Sequence, residues 1–133
     1  MATRSKSAKK RHGPGSSLAQ TLEKLGYLPA PREVRKSAGV TVKEFARLIG
    51  FSERAIAEWE TGKPLSEPAR RKLAETQRLV AALGKLVDPE SIPAWLRMPN
   101  DAFGGLKPLE VIERGETDRL WRMLFYLESG VAT

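Results

Sequence analysis

The sequence of 133 residues contains no cysteine and a single histidine, His12, which stands in a lysine-rich stretch. These absences exclude zinc fingers, thiol catalysis, histidine triads and disulfide scaffolds. No run approaches the roughly eighteen apolar residues of a membrane span, and the start, MATRSKSAKKRH, lacks the apolar stretch of a secretory signal. We therefore expect a soluble, cytoplasmic protein that uses no metal or other cofactor and has no membrane partner.

Catalytic patterns are also missing. The acidic residues of the C-terminal half are scattered at positions expected on helix surfaces, where solvent exposure is the ordinary interpretation. No nucleophile stands beside a base, and no pair of carboxylates stands out. The chain is 41% apolar, enough for one modest core or two small cores that share a helix. We expect no enzymatic activity.

The charge of the chain is unevenly distributed. Residues 1 to 85 contain 18 Lys/Arg and 8 Asp/Glu, a net of +10, whereas residues 86 to 133 contain 5 and 8, a net of −3. A basic segment favours a polyanionic partner, because each neutralised phosphate releases counterions. The first half is thus predicted to bind nucleic acid, and the second half to face a different partner; solubility alone is the alternative.

Apolar residues recur at helical spacing, and no segment alternates with period two, so the fold class is predicted to be all-α. Residues 1 to 15 form a disordered basic tail in this prediction, and a first helix runs through Leu18, Leu22 and Leu25. The domains are predicted as a helix-turn-helix bundle over residues 16–66, a long linking and dimerisation helix over 67–88, and a small helical domain over 89–133. The last helix is expected over about residues 116 to 128.

The stretch TVKEFARLIGFSERAIAEWETGK, residues 41 to 63, predicts a helix-turn-helix. Thr41 and Glu44 have the spacing of a capping box, so a helix begins there. Gly50 permits a left-handed turn, and Ser52 is a candidate N-cap for a second helix. That second helix is the element that would enter a DNA major groove.

The outward side chains of the second helix are candidates for base contacts. Arg54 can contact guanine, and a glutamate can accept from the cytosine amino group. The three glutamates of this helix oppose phosphate binding, and Glu60 is the one expected to pair within the fold instead. The predicted DNA-contacting residues are Lys43, Arg47, Ser52, Glu53, Arg54, Ala57, Lys63, Arg70 and Arg71, with help from the basic tail. A helix-turn-helix kept only for packing or dimerisation is the alternative.

The stretch NDAFGGLKPLE, residues 100 to 110, contains two adjacent glycines before a lysine and a proline. A phosphate-binding loop requires the G-x-x-x-x-G-K-[ST] spacing and free N–H groups at a helix start, and this stretch has neither. The glycines instead predict a tight elbow that lets Trp95 and Phe103 pack against the last helix.

The last helix carries several large apolar residues. Leu120, Trp121, Leu124 and Leu127 are predicted to mark its buried side, with Trp121 in the core. Phe125 or Tyr126 falls partly outside that stripe and is a candidate anchor for a partner, although the core remains the default for each aromatic residue. The ending ESGVAT has the composition of an ordinary frayed terminus.

Two parts of the chain resemble known families. Residues 31 to 63 resemble the Xre (Cro/C1-type) DNA-binding domain, including the Trp59-Glu60 and Gly62-Lys63 ending. Residues 92 to 133 resemble the toxin-binding domain of the MbcA/ParS/Xre antitoxins. The matching pieces are AWL and PN (Trp95, Pro99, Asn100), GG.KPLEVI (Gly104, Gly105, Lys107 to Ile112), GE (Gly115, Glu116) and LESGV (Leu127 to Val131).

The resemblance implies a type II antitoxin whose partner is a RES-domain toxin that consumes NAD. It further implies that the C-terminal segment occludes the toxin active site and that the complex represses its own promoter. We expect the protein to be a homodimer through the long helix. The implied toxin-binding residues are Trp95, Lys107, Arg114, Arg119, Arg122, Glu128, Ser129, Gly130, Val131 and Thr133. The alternative is a stand-alone Xre-type transcription regulator whose C-terminal domain dimerises or senses a ligand.

Overall fold

The computed structural model describes residues 29 to 130, and every regular element in that range is a helix. The α-helices are α1 (Pro31–Ala38), α2 (Val42–Ile49), α3 (Glu53–Glu60), α4 (Glu67–Leu86), α5 (Ile92–Arg97), α6 (Pro108–Glu113) and α7 (Thr117–Ser129). Short 3-10 turns at Pro89–Ser91 and Asp101–Phe103 lie on either side of α5. The all-α prediction is therefore confirmed. The predicted basic tail and first helix lie outside the described residues, as do Val131 and Thr133.

Local capping sets the helix-turn-helix as the sequence predicts. The Thr41 hydroxyl accepts from the Glu44 N–H at 3.1 Å, and the Glu44 carboxylate accepts from the Thr41 N–H at 3.0 Å. Gly50 is left-handed, with φ of 79°, and ends α2. The Ser52 hydroxyl accepts from the Ala55 N–H at 3.0 Å and begins α3. Each terminus thus satisfies backbone groups that the helix itself leaves unpaired.

The long helix α4 is the centre of the molecule. It begins at the Ser66 cap, with Pro68 in its first turn, and it packs against α1, α2 and α7. Its buried stripe contains Leu73, Thr76, Leu79, Val80 and Leu83. Because this helix faces the helix-turn-helix on one side and the last helix on the other, both halves of the chain share it.

One continuous core joins the two halves. It includes Phe45, Ile49, Ile56 and Trp59 from the helix-turn-helix, and α5, α6 and α7 add a second group of buried side chains: Ile92, Leu96, Leu109, Val111, Ile112, Leu120 and Leu124. Phe51 packs edge-on against Trp59, with ring centroids 5.3 Å apart. An aromatic pair in this geometry stabilises the fold by more than the burial of the two rings alone.

The buried side of α7 is narrower than the sequence predicts. Leu120 and Leu124 are buried, but Trp121 is 39% exposed and Leu127 is exposed, so both of those predictions are wrong. The physical reason is that only α4 and α6 make extensive contacts with this terminal helix. Together they cover a single stripe of its residues at i, i+4 spacing. Phe125 and Tyr126 are also exposed, so the expectation that they lie in the core is wrong. Their role as an anchor for a partner stays a prediction.

Candidate DNA-binding and protein-docking surfaces

The recognition helix α3 presents the predicted residues to solvent. Ser52, Glu53, Arg54 and Ala57 are exposed at or near its N-terminal end, while Ile56 and Trp59 face the core. The Arg54 side chain is 89% exposed and reaches Glu58 one turn later, with Nε and Oε2 3.6 Å apart. An exposed pair of this kind is weak and can exchange for a base or a phosphate at small cost.

The acidity of α3 is largely offset by neighbouring cations. Glu58 lies between Lys63, at 3.2 Å, and Arg54, and the Lys63 hydrogen bond lowers the pKa of the Glu58 carboxyl. Glu60 turns inward, which confirms the predicted pairing within the fold. Glu53 is exposed and has no ion pair among residues 29 to 130, so it alone brings an uncompensated negative charge to this surface.

Glu60 is held by arginines of α1. Its carboxylate accepts from Arg35 Nε at 2.7 Å and from Arg35 Nη2 at 3.0 Å, while the more exposed Arg32 approaches at 3.4 Å. The hydrogen bonds from Arg35 lower the pKa of Glu60. This two-point contact fixes the end of the recognition helix against α1.

Four predicted DNA-contacting residues meet around one surface recess. Lys43, Arg47, Ser52 and Glu53 line a recess of about 390 Å³ at the turn between α2 and α3. Glu113, the last residue of α6, lines the same recess, and its carboxylate accepts from Arg47 Nη2 at 2.8 Å. The recess therefore combines the cations expected at DNA phosphates with one carboxylate from the C-terminal half.

The remaining predicted DNA contacts lie beyond this recess. Lys63 is exposed in the loop after α3 and pairs with Glu58. Arg70 and Arg71 lie in the first turns of α4, each 3.7 Å from a Glu67 oxygen. The Arg70 side chain is largely buried and Arg71 is exposed, so Arg71 is the better placed of the two for a phosphate.

The two halves are also joined by close contacts between α5 and the first two helices. Arg97 of α5 donates to both oxygens of Glu44, at 2.7 and 2.8 Å. This contact, with the N–H of Thr41, lowers the pKa of Glu44 to about 2. Gly39, left-handed at the end of α1, lies against the ring of Pro93 in α5. The C-terminal half is thus seated directly on α1 and α2.

The glycine pair forms the predicted tight elbow, and Phe103 lies against the last helix, whereas packing of Trp95 against that helix stays a prediction. Gly104 and Gly105 both have positive φ, 65° and 89°, and α6 begins at Pro108. Phe103 is buried, and the guanidinium of Arg119 from α7 lies 5.7 Å from its ring centroid. The turn brings the aromatic ring against the last helix, while Trp95 is half-buried at the edge of the core.

The predicted toxin-binding residues occupy several elements of the C-terminal half. Lys107 and Arg114 are exposed at the two ends of α6. On α7, Arg119 pairs with Glu116 at 2.9 Å, and the more exposed Arg122 pairs with Asp118 at 3.4 Å. The exposed residues Glu128, Ser129 and Gly130 lie at the end of the same helix, where Gly130 is left-handed.

The last helix leaves four large apolar side chains exposed to solvent. The exposed residues are Trp121, Phe125, Tyr126 and Leu127; Phe125 is 64% exposed and stacks edge-on with Tyr126 at 5.9 Å. We call these four residues the α7 apolar face. Exposed aromatic residues that cluster in this way are typical of protein contacts.

A cleft of about 250 Å³ lies between α4 and α7, next to Trp121. Its lining residues include Leu48, Leu79, Ile112 and Trp121. Trp121 is therefore a wall of the cleft rather than a core residue. Within residues 29 to 130, no cluster of three or more histidine, cysteine or acidic residues could hold a metal ion. Over the same range, no helix is both long and apolar enough to traverse a lipid bilayer.

Two family models match the chain. One describes a helix-turn-helix and matches residues 32–85; the other describes the antitoxin Xre/MbcA/ParS C-terminal toxin-binding domain and matches residues 82–123. Together they extend from α1 into α7, in the order that the sequence predicts. The chain therefore combines a helix-turn-helix domain with an Xre/MbcA/ParS-type C-terminal domain. The two matches meet within α4, the helix that both halves share.

Curated relatives agree with this family. The chain is 29% identical over 97 residues to the probable mycobacterial cidal antitoxin Rv3188 of Mycobacterium tuberculosis, covering 73% of this chain and 84% of that protein. It is 23% identical over 94 residues to the mycobacterial cidal antitoxin MbcA of Mycobacterium bovis, covering 70% and 83%.

A solved structure has the same fold. The chain superposes with a TM-score of 0.64 on a chain from the crystal structure of the M. tuberculosis MbcT-MbcA toxin-antitoxin complex. The match has 21% identity and covers 78% of this chain and 95% of that chain. At this identity the likeness concerns the arrangement of helices.

Sequence reasoning missed Arg97 and Glu113, the residues that connect the halves. Neither belongs to a motif, and their partners Glu44 and Arg47 lie 53 and 66 positions away. The only available signal was the charge difference between the halves, which permits ion pairs across their boundary but does not identify them.

Proposed function

We propose that this chain is the antitoxin of a toxin-antitoxin pair and that it neutralises a RES-domain, NAD-consuming toxin. The C-terminal segment, Glu128 to Thr133, occludes the toxin active site, while the helix-turn-helix binds the promoter of its own operon as a repressor. The protein acts in the cytoplasm as a homodimer through α4. A toxin partner is proposed by analogy with MbcA, which forms a complex with MbcT.

The observation that carries the docking proposal is the α7 apolar face, which lies next to the C-terminal segment. Its side chains are exposed although Leu120 and Leu124 of the same helix are buried. Apolar side chains left in water lower solubility, and covering them with a partner recovers the free energy of burial. A helix that presents aromatic residues beside a short, nearly uncharged end is suited to insertion into a protein cleft.

The docking proposal is tested by co-purifying the chain with the RES-domain protein of its operon. Phe125→Ala should weaken the complex by about 30-fold, since an aromatic anchor contributes about 2 kcal/mol. The same variant should unfold at nearly the wild-type urea concentration, because Phe125 is exposed. Leu86→Ala is the matched control, because it truncates an exposed apolar side chain on a different helix, α4. It should leave the complex intact.

Deleting Glu128 to Thr133 separates docking from occlusion. We expect the truncated chain to retain part of its affinity through the α7 apolar face but to leave the toxin able to consume NAD. A truncated chain that still silences the toxin would contradict occlusion by this segment. A full-length chain that forms no complex would contradict the antitoxin proposal and favour the stand-alone regulator.

The DNA-binding proposal rests on the exposure of Arg54 beside the cationic recess. Arg54→Ala should reduce affinity for the promoter duplex by about 1–3 kcal/mol and reduce sequence discrimination, as expected for a base contact. Deleting residues 1 to 12 should weaken binding to all duplexes and reduce the salt dependence. Equal affinity at 50 and 200 mM salt would contradict an electrostatic DNA contact.

A further inference from the structure

Arg47 is the cation of the recess that is already engaged by the other half of the chain. Glu113 accepts from its guanidinium at 2.8 Å, and both side chains remain partly open to solvent. The hydrogen bond lowers the pKa of Glu113 and raises the pKa of Arg47, so both groups are charged at neutral pH. Glu110 and Glu44 add further negative potential at the same guanidinium.

A DNA phosphate at the recess would meet this carboxylate. The proposed phosphate contacts Lys43 and Arg47 and the N-terminal end of α3 lie around one cavity with Glu113. A phosphate that binds the Nη2 of Arg47 must displace Glu113, and a carboxylate that stays nearby repels it. Because the pair is partly exposed, its exchange costs little, so competition at Arg47 is energetically accessible.

We propose that Glu113 competes with a DNA phosphate for Arg47, so that the C-terminal half limits the duplex affinity of the helix-turn-helix. This inference rests on the DNA-binding part of the proposed function. It assigns Glu113, on the toxin-binding half, to the nucleic-acid surface. The residue acts by holding a cation away from the phosphate backbone, and it makes no contact with a base.

The test compares Glu113→Gln with Glu90→Gln in the full-length chain. Glu90 is exposed in the turn before α5 and forms no ion pair with residues 29 to 130, so the control removes the same charge without breaking a pair. Fluorescence anisotropy with the promoter duplex is measured from 50 to 200 mM salt. One additional phosphate contact steepens the salt slope by about 0.9, so the affinity of E113Q should fall about 3.5-fold more than that of E90Q. At 50 mM salt, E113Q should also bind more tightly than E90Q.

The same comparison in an Arg47→Gln background tests whether Glu113 acts through Arg47. If Glu113 acts through Arg47, E113Q should no longer differ from E90Q when Arg47 is absent, as a double-mutant cycle requires. An E113Q effect that persists without Arg47 would mean general repulsion and would overturn the proposal. Equal slopes for E113Q and E90Q in the wild-type background would also overturn it.

The outcomes separate this inference from the proposed function. A wild-type chain that binds the promoter, loses affinity on Arg54→Ala and gains nothing on E113Q retains the proposed function and refutes the competition. A chain in which neither wild type nor E113Q binds the duplex refutes both. Binding that appears only in E113Q supports the competition and shows that the wild-type chain is strongly restrained.

Discussion

Glu60 is the side chain that connects the recognition helix to the rest of the DNA-binding bundle. Its carboxylate is only 8% exposed and accepts two hydrogen bonds from Arg35. A buried carboxylate is tolerated because its partner is present, and removing that partner leaves a charge without compensation. Arg32 touches the same carboxylate from a largely exposed position.

We expect Arg35→Met to lower the free energy of unfolding by about 3 kcal/mol, since it leaves the buried Glu60 carboxylate with only the longer contact to the exposed Arg32. Arg32→Met removes the same charge from an exposed position and should cost less than about 1 kcal/mol. Urea denaturation of the two variants at neutral pH measures the difference. Equal effects would mean that solvent already screens Glu60.

The role of Glu60 could be predicted only in part from the sequence. The position of Glu60 in a net acidic helix indicated that it pairs inside the fold, but Arg35 lies 25 positions earlier and no local rule selects it. Conversely, Thr41 and Ser52 were predicted as caps because a cap and the N–H groups that it satisfies lie within three residues. Contacts within one turn can be read from spacing, whereas longer contacts require the packing.

At the scale of the elements, the end of α1 lies directly against the C-terminal half. Gly39 is left-handed, with φ of 70°, and a side chain built there would overlap the ring of Pro93. Gly50 is equally left-handed at the end of α2, but the space around it is open. The two helix ends thus have the same backbone conformation in different surroundings.

We expect Gly50→Ala to destabilise the chain by about 1 kcal/mol, the cost of the left-handed conformation alone. Gly39→Ala should cost about 2–4 kcal/mol, because α5 must also move away from α1. Thermal unfolding of both variants tests this difference. If Gly39→Ala were no worse than Gly50→Ala, α5 would have room to retreat.

The last helix illustrates why an element can be predicted while its orientation is not. Its limits were predicted within one residue, because Gly115 precedes it and apolar residues follow at helical spacing. The position of Trp121 depended on how many neighbours cover α7, which spacing cannot supply. The stripe of four predicted residues was wider than the two helices beside α7 could bury.

For the whole molecule, the contact between Glu44 and Arg97 connects the DNA-binding half to the C-terminal half. The pKa of Glu44 falls from 4.5 to about 2, chiefly because Arg97 donates to its carboxylate. A lowered pKa means that the folded state binds this proton more weakly than the unfolded state. The stabilisation is therefore complete above about pH 4.5 and is lost as the pH falls towards 2.

We expect Arg97→Gln to reduce the free energy of unfolding at pH 6 by about 1–2 kcal/mol, a value discounted for the 44% exposure of Arg97. The difference from wild type should shrink as the pH falls below about 4.5. Arg122→Gln, which removes the same charge from an exposed pair on α7, should have little effect. A difference independent of pH would show that Arg97 acts through its packing.

The division of the chain into two halves could be predicted at this scale, because the charge asymmetry and the two motifs occur in separate segments. The way in which the halves meet could not, since Pro93, Arg97 and Glu113 belong to no local pattern. The dimer expected through α4 stays a prediction, and analytical ultracentrifugation of the full-length chain would measure it.

The shared position of α4 has a consequence for the lifetime of the protein in a cell. Leu73, Thr76, Leu79 and Leu83 are buried in one core with side chains from both halves, so neither half has a complete interior without this helix. A protease that cuts within α4 would disrupt the interior of both halves in the same event. Under the proposed function, turnover of the chain would then release the operon and the toxin together.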